Sequence, residues 1–415
     1  MGAPCCDGRV PVHALAGVRV LDLTHYIAGP YCTKLLADFG ADVLKIERPP
    51  AGDPARRLGP FPNDTPHLET SALFLHLNTN KRSLTLNLKT EEGRRIALRL
   101  AERADVLVEN FRPGTLARLG LDVKELHARN PRLIITSISN FGQTGPYRDL
   151  KASEITLYAM GGPMNVTGHR DHEPLKLGGN VVQYHAGAVA AFATLLALYA
   201  VEMGRPYGEH LDVSIYETQA GFRDRRTVYL TAHAYTGDIG RRPEAGVRPG
   251  VGVRPAKDGY VNIFAGGPDR FARFLRMIGR EDLIGDERTR NLLLLNQHPE
   301  LAQEIERSYL DWLMVHPKRE AAAIAQQHRL LAAPVNEIRD VVEDPAFNER
   351  GAFEVIDHPY TGPLKYPGRP FIMSATPRPP ARRAPLLGEH TVQVLCEELG
   401  YRREDVARLR AQGVV

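Results

Sequence analysis

The stretch GVRVLDLTHYIAGPYCTKLLADFGADVLKIERP (17–49) decides the fold class of this 415-residue chain. It opens with GVRVLDLT, a nearly continuous apolar run that is typical of a strand buried on both faces of a parallel sheet. A turn at 25–30 leads into YCTKLLADFG, which has the pattern of a helix ending on Gly40, and ADVLKIERP (41–49) follows as a second strand. This βαβ unit predicts an α/β fold in which helices cover a mainly parallel sheet.

The alternation of strand and helix continues downstream. We predict further strands at 82–89, 105–111 and 132–142 and helices at 90–104 and 116–130. Thr90 is placed to cap the first of these helices, with Glu92 in its first turn. Ligands of such sheets bind beyond the carboxyl ends of the strands, so the loops HYIAGP, ERPPAGD, ENFRPG and SNFGQTGP are the predicted binding surface. The first loop lacks a G-x-G-x-x-G fingerprint, which argues against a nicotinamide-dependent dehydrogenase.

A break in composition divides the chain. The segment 236–258 is rich in glycine and proline and is predicted to be a linker or mobile loop. A short strand at 260–266 and helical segments over 269–328 follow it, as expected of a smaller second domain. The predicted divisions are a tail at 1–14, the first part of a large domain at 15–225, a small domain with linkers at 226–345, and a return linker with the rest of the large domain at 346–415.

The overall composition is that of a soluble globular protein. Hydrophobic residues make up 43% and charged residues 25%, and the formal net charge of +4 is too small to predict nucleic-acid binding. The four cysteines show no metal-ligand spacing, so we expect a reducing, cytoplasmic setting and no metal. The apolar segment 186–203 is rich in Ala and Gly, which favours a core helix over a membrane span.

Several motifs, in order, resemble the class III CoA-transferase family (the CaiB/BaiF type). They are VLDLTHYIAGP (20–30), ADVLKIERP (41–49), NKRSLTLNLKT (80–90), ADVLVENFRPG (104–114), LKASE (150–154), YGEHLDVSIYE (207–217) and RAPLLGEHTVQVLCEELG (383–400). The resemblance implies a Rossmann-like large domain built from both chain ends and a smaller inserted α+β domain. It also implies a dimer of two interlocked ring-shaped subunits.

The resemblance further implies a CoA thioester as substrate and no permanently bound cofactor. By position, the family's CoA contacts correspond to Ile27, Ala28, Arg48, Leu86 through Lys89, Asn110, Phe111, Arg112, Arg118 and Lys151. Arg and Lys suit the phosphates of CoA, as do backbone N–H groups at helix N-termini. At Ile27, however, formyl-CoA transferases have a glutamine that touches substrate. The apolar side chain therefore disfavours oxalate or formate.

The position of the catalytic nucleophile carries an unexpected residue. In the family an aspartate attacks the acyl-CoA thioester, and counting back from Gly187 places Gln183 at that position. A neutral amide does not ionise near pH 7 and cannot form the mixed anhydride. It can still hydrogen-bond a carbonyl or a carboxylate.

Three interpretations of the chain follow. In the first, which we favour, it is one subunit of a hetero-oligomeric CoA-transferase whose homologous partner supplies the aspartate; a homodimer remains open. In the second, another acid replaces the aspartate, and Glu154 in LKASE is the candidate. In the third, the protein binds acyl-CoA without transferring CoA. Isomerase chemistry belongs to this third interpretation. The racemase branch of the family uses a His/Asp pair, however, and Gln183 occupies the Asp position here, which disfavours racemisation.

Three further features bear on the predicted site. His185 and His169 are candidate general bases. The glycine-rich segment from Gly246 to Gly252 aligns with a mobile loop that covers the active site in the family, and it equally fits a flexible linker.

Overall fold

The computed structural model describes residues 13–221, 226–237, 239–240, 242, 247–290, 292–376 and 380–415. Contacts between residues divide the chain into two compact units. The larger unit comprises 1–168, 172–242 and 351–415, and the smaller comprises 169–171 and 243–350. The domain boundaries expected from sequence, after residues 225 and 345, stay a prediction.

The larger unit is built on a six-stranded parallel sheet in the order β3-β2-β1-β4-β5-β6. Its strands are β1 (Arg19–Asp22), β2 (Asp42–Glu47), β3 (Arg82–Thr85), β4 (Val106–Glu109), β5 (Ile134–Ser139) and β6 (His210–Ser214). The predicted α/β class with a mainly parallel sheet is therefore confirmed. The strands β4 and β5 are buried along their whole length, as expected of inner strands of a parallel sheet.

Sequence analysis did not predict β6. The segment HLDVS pairs with β5 at the edge of the sheet, with His210 exposed and Asp212 between two apolar residues. An edge strand does not need apolar side chains on both faces, so it lacks the pattern that identified its neighbours.

Helices cover both faces of this sheet. The helices of the larger unit up to residue 236 are α1 (Ala28–Asp38), α2 (Ala72–Leu77), α3 (Glu91–Ala101), α4 (Thr115–Arg118), α5 (Val123–Arg129), α6 (Glu154–Met160), α7 (Val181–Glu202), α8 (Ile215–Gly221) and α9 (Arg226–Thr236). Thr90 caps α3 as predicted, with its hydroxyl accepting from Gly93 N at 3.0 Å. The helix predicted at 116–130 is instead two short helices, because Gly120 adopts a left-handed φ of 74° between them.

The smaller unit has an antiparallel sheet and its own apolar core. Its strands are β7 (Val251–Ala256), β8 (Gly259–Phe264) and β9 (Leu331–Pro334), and its helices are α10 (Pro268–Met277), α11 (Leu292–Leu295), α12 (Pro299–Val315), α13 (Lys318–Gln327), α14 (Ile338–Glu343) and α15 (Pro345–Glu349). The core includes the packed rings of Phe271, Phe274 and Tyr309.

The chain then re-enters the larger unit. It adds a hairpin of β10 (Phe353–Ile356) and β11 (Leu364–Pro367), a short helix α16 (Thr391–Gln393) that continues as a π-helical turn at Val394–Glu398, and α17 (Arg403–Ala411). Leu395 and Val406 from this segment share one apolar layer with Leu21 of β1.

The opposite apolar layer is formed by α1 and α7, and it explains the small residues of α7. Gly187 faces the backbone of α1 so closely that a Cβ atom would lie 2.5 Å from the carbonyl oxygen of Ala28. Among the described helices, α7 is the one with the length and hydropathy of a membrane span. Its packing of Val182, Ala186 and Ala190 into the sheet identifies a core helix.

Candidate active site

A cavity of about 730 Å³ opens beyond the carboxyl ends of β4 and β5, entirely within the larger unit. This is the edge at which parallel sheets of this kind bind ligands. The residues of the cavity wall that sequence analysis singled out are Ile27, Asn110, Phe111, Arg112, Arg118, Lys151, Glu154 and Gln183. The structure therefore brings together candidates that are far apart in the sequence.

Six predicted contacts lie outside the cavity wall, namely Ala28, Arg48 and Leu86 through Lys89. Ala28 and Leu86 are buried in the apolar core, so their side chains are not available to a ligand. Arg48 and Lys89 are exposed, and they follow β2 and β3 on the far side of β1 from the cavity. The half-buried Asn87 and Leu88 lie beside Lys89. These six contacts stay predictions, restricted to backbone contact for the buried Ala28 and Leu86.

The wall of the cavity carries more positive than negative charge. Arg112, Arg118, Arg148 and Lys151 contribute four cations, whereas Asp149 and Glu154 contribute two acids. Arg118 donates to the hydroxyl of Thr115 at 2.7 Å. The excess of cations suits an anionic ligand such as a phosphate ester.

Gln183 is the third residue of α7 and lines the cavity. The helix has no acidic residue in its first turn, and its N-cap residue Asn180 makes no side-chain capping bond. The partial positive charge at the helix N-terminus is therefore available to an anion from elsewhere.

Glu154 supplies that anion. One oxygen accepts from Val182 N at 3.0 Å and the other from Gln183 N at 3.2 Å. The Lys176 ammonium lies 3.5 Å away, and the Glu154 side chain is 13% exposed. The carboxylate nearest to Gln183 thus caps α7. A covalent bond at one of its oxygens would neutralise the charge that these contacts stabilise.

Asp149 is the other acid of the cavity wall among the described residues. Its side chain is 82% exposed and lies 3.8 Å from the guanidinium of Arg148. It is a solvated surface carboxylate rather than a positioned nucleophile.

The histidine candidates are not brought into the described cavity wall. His185 lies in the first turns of α7, half-buried, and His169 groups with the smaller unit. Of the glycine-rich segment, Gly246 lies outside the described residues, whereas Gly252 belongs to β7. Among the described residues no group of three or more His, Cys, Asp and Glu side chains has the arrangement of a metal site.

Asn110 has a role that sequence analysis did not foresee. Its carbonyl oxygen accepts from His25 N and its amide nitrogen donates to His25 O, both at 2.8 Å. Both ends of the side-chain amide are therefore engaged with the first loop. The main contribution of Asn110 to the cavity is therefore to hold the backbone of His25 in the adjacent part of the wall.

Tyr26, Ser139 and Arg148 also line the cavity and were not singled out from the sequence. Ser139 and Asn140 begin the loop 139–146 that was predicted as binding surface, and Asn140, a polar residue noted there, does line the cavity. Arg148 lies two residues beyond that predicted loop. Tyr26 takes a left-handed φ of 65°, which no sequence pattern indicates for a tyrosine.

Comparison with known proteins identifies what the chain is similar to. The sequence model of CoA-transferase family III matches residues 15–391. A succinate–glutarate CoA-transferase from Agrobacterium fabrum is 34% identical over 391 residues, which cover 92% of this chain and 95% of the relative. A formyl-CoA:oxalate CoA-transferase from Streptomyces avermitilis is 36% identical, over 97% of this chain and 99% of the relative.

A solved structure shows the same architecture. The crystal structure of a CAIB/BAIF family protein from Brucella suis aligns with a TM-score of 0.81 at 30% sequence identity. The alignment covers 93% of this chain and 99% of that one.

Proposed function

The chain belongs to CoA-transferase family III, and we propose that it is the subunit without a nucleophilic aspartate in a hetero-oligomeric class III CoA-transferase. The enzyme transfers CoA between an acyl-CoA, such as succinyl-CoA, and an organic acid. The observation that carries the proposal is that neither Gln183 nor Glu154, the two side chains at the N-terminus of α7, offers a free carboxylate. Gln183 has no ionisable oxygen, and Glu154 is engaged as the helix cap.

The chemistry explains why these two side chains matter. In the family reaction a carboxylate oxygen of the enzyme bonds to the thioester carbon and the carbon–sulfur bond breaks. CoA leaves as its thiolate, and the acyl group and the enzyme carboxylate are then joined as a mixed anhydride. The thiolate then attacks the enzyme's carboxyl carbon and releases the donor acid. Gln183 cannot take the first step. Its amide can donate a hydrogen bond to a thioester or carboxylate oxygen and so hold the substrate.

The proposal includes an oligomer, with the interlocked arrangement that the family resemblance implies. The outward face of α7 supports an interface, because it exposes large apolar side chains. Phe192, Leu196 and Tyr199 are 60%, 54% and 65% exposed on successive turns of this helix. Contiguous apolar surface of this kind marks protein–protein contacts.

We propose succinyl-CoA as donor and a dicarboxylate such as glutarate as acceptor. The name of the A. fabrum relative and the excess of positive charge in the cavity support this pair. Ile27 supports it against oxalate, because an apolar side chain in the cavity wall gives a small, doubly charged acid no hydrogen bond. We also propose a cytoplasmic location, which the free thiols of Cys32 and Cys396, the two cysteines among the described residues, support.

A self-sufficient enzyme with Glu154 as nucleophile is the second candidate. It is favoured by the presence of this carboxylate in the same cavity as Gln183. A protein that binds acyl-CoA without transfer is a third outcome of the same test.

The test measures transfer from labelled succinyl-CoA to glutarate, with oxalate as the comparison acceptor. The purified chain is assayed alone and after mixing with a homologue that carries the aspartate. We expect transfer only in the mixture. Full activity of the chain alone contradicts the subunit proposal. CoA binding without transfer under both conditions supports a non-catalytic acyl-CoA binder.

A further inference from the structure

We propose that Asp53 and Lys45 are positioning residues for the cavity. They fix the backbone of residues 24–26, which carries Tyr26 and Ile27 to the cavity wall. The inference rests on the proposed function only in taking this cavity to be the CoA site.

The loop 24–26 is held by side chains instead of by regular secondary structure. Thr24 N donates to Asp22 at 2.9 Å, and Thr24 O accepts from the Lys45 ammonium at 2.7 Å. His25 is bound at both its N–H and its C=O by Asn110, and Tyr26 N donates to Asp53 at 3.1 Å. Five backbone groups in three residues thus depend on side chains from β1, from β2, from the residue after β4 and from the turn after β2.

Asp53 and Lys45 form the centre of this arrangement. Their charged atoms lie 2.9 Å apart and both side chains are fully buried. Asp53 also accepts from Ala55 N at 2.9 Å, which anchors it at the start of a short 3-10 turn. Burying two charges is costly unless additional hydrogen bonds satisfy them, and here those bonds go to Thr24 and Tyr26. The ion pair therefore specifies the conformation of the loop.

The backbone conformation that these bonds impose on Tyr26 is an unfavourable one. Tyr26 has a φ of 65°, in the left-handed region that is uncommon for residues other than glycine. Its side chain is 48% exposed, so no burial of its ring explains the strain. The gain lies in the cavity wall, because Tyr26 and Ile27 are presented there before a ligand arrives. A preformed wall spares the ligand the cost of ordering it.

Hydrogen exchange and CoA binding test the inference on the full chain. Asp53→Asn removes the charge that Lys45 needs, so we expect faster deuterium uptake in a peptide spanning residues 22–30. Free CoA, titrated calorimetrically, should bind about tenfold more weakly, corresponding to the ordering of two side chains at the wall. Lys45→Met should produce the same pair of changes, and it replaces Asp53→Asn if that variant does not fold.

Asp38→Asn is the matched control. Asp38 is a buried acid on α1, paired with Lys34 at 2.7 Å and bonded to Asn80 at 2.7 Å, with no bond to the loop. It should leave both the uptake at 22–30 and the CoA affinity at wild-type values. The inference is overturned if the Asp53 and Lys45 variants leave loop exchange unchanged, or loosen the loop without weakening CoA binding. If the wild-type chain binds no CoA, the proposed function fails, while the exchange measurement still decides whether the ion pair holds the loop.

Discussion

Glu154→Gln separates a structural carboxylate from a catalytic one. In the structure, this side chain accepts from two backbone N–H groups of α7 and lies near one ammonium. A glutamine keeps one acceptor oxygen and loses the charge. The loss is about 1 kcal/mol for the cap and about 0.3–1 kcal/mol for the helix dipole. We therefore expect the free energy of unfolding to fall by about 1–2 kcal/mol.

The assay for this prediction combines urea unfolding, followed by circular dichroism, with the transfer rate of the chain mixed with an aspartate-bearing homologue. We expect the transfer rate to fall less than about tenfold, since Glu154 positions α7 and does not form the acyl bond. Asp344→Asn is the control, because Asp344 caps α15 in the smaller unit by a similar carboxylate contact, accepting from Ala346 N at 2.9 Å and Phe347 N at 3.3 Å. Transfer that falls by about a thousandfold or more with unchanged stability would refute the reasoning and identify Glu154 as the nucleophile.

Three further predictions follow from the same geometry. Gly187→Ala places a methyl group 2.5 Å from the Ala28 carbonyl oxygen, so urea unfolding should show a loss of about 2–4 kcal/mol. Burial raises the pKa of Glu109 to about 7 from 4.5, so the folded state binds the Glu109 proton more tightly than the unfolded state does. The free energy of unfolding should therefore decline by about 3 kcal/mol as pH rises from about 4.5 to 7. Glu109→Gln should remove that decline. Arg112→Gln should weaken CoA binding about tenfold at low salt and less at high salt in calorimetric titrations, whereas an unchanged affinity removes it from the phosphate site.

The fold was largely predictable from sequence because its central strands are buried on both faces. The residues of β4 and β5 are all buried, as are three of the four in β1, and strands of this kind have few alternatives within a βαβ repeat. The edge strand β6 lacked the pattern, and the left-handed Gly120 divided a helix that periodicity alone made continuous. Local backbone conformation, rather than hydrophobic pattern, accounts for these differences.

The candidate site was predictable in location but not in the use of each side chain. Strand ends located the loops, and family positions selected eight of the twenty residues that line the cavity. No spacing showed that Asn110 is engaged with the backbone of His25, or that Glu154 reaches the amides of α7 across 28 residues of sequence. Such roles depend on tertiary hydrogen bonds between distant segments, and a single sequence does not encode them as a pattern.

The central claim is that this chain carries no covalent intermediate, and mass spectrometry tests it most directly. The chain and an aspartate-bearing homologue are mixed with succinyl-CoA, quenched during turnover and measured as intact chains, then as peptides. We predict that the mass of CoA is found on the partner's aspartate and on no peptide of this chain. A CoA adduct on the peptide that contains Glu154 would contradict the account.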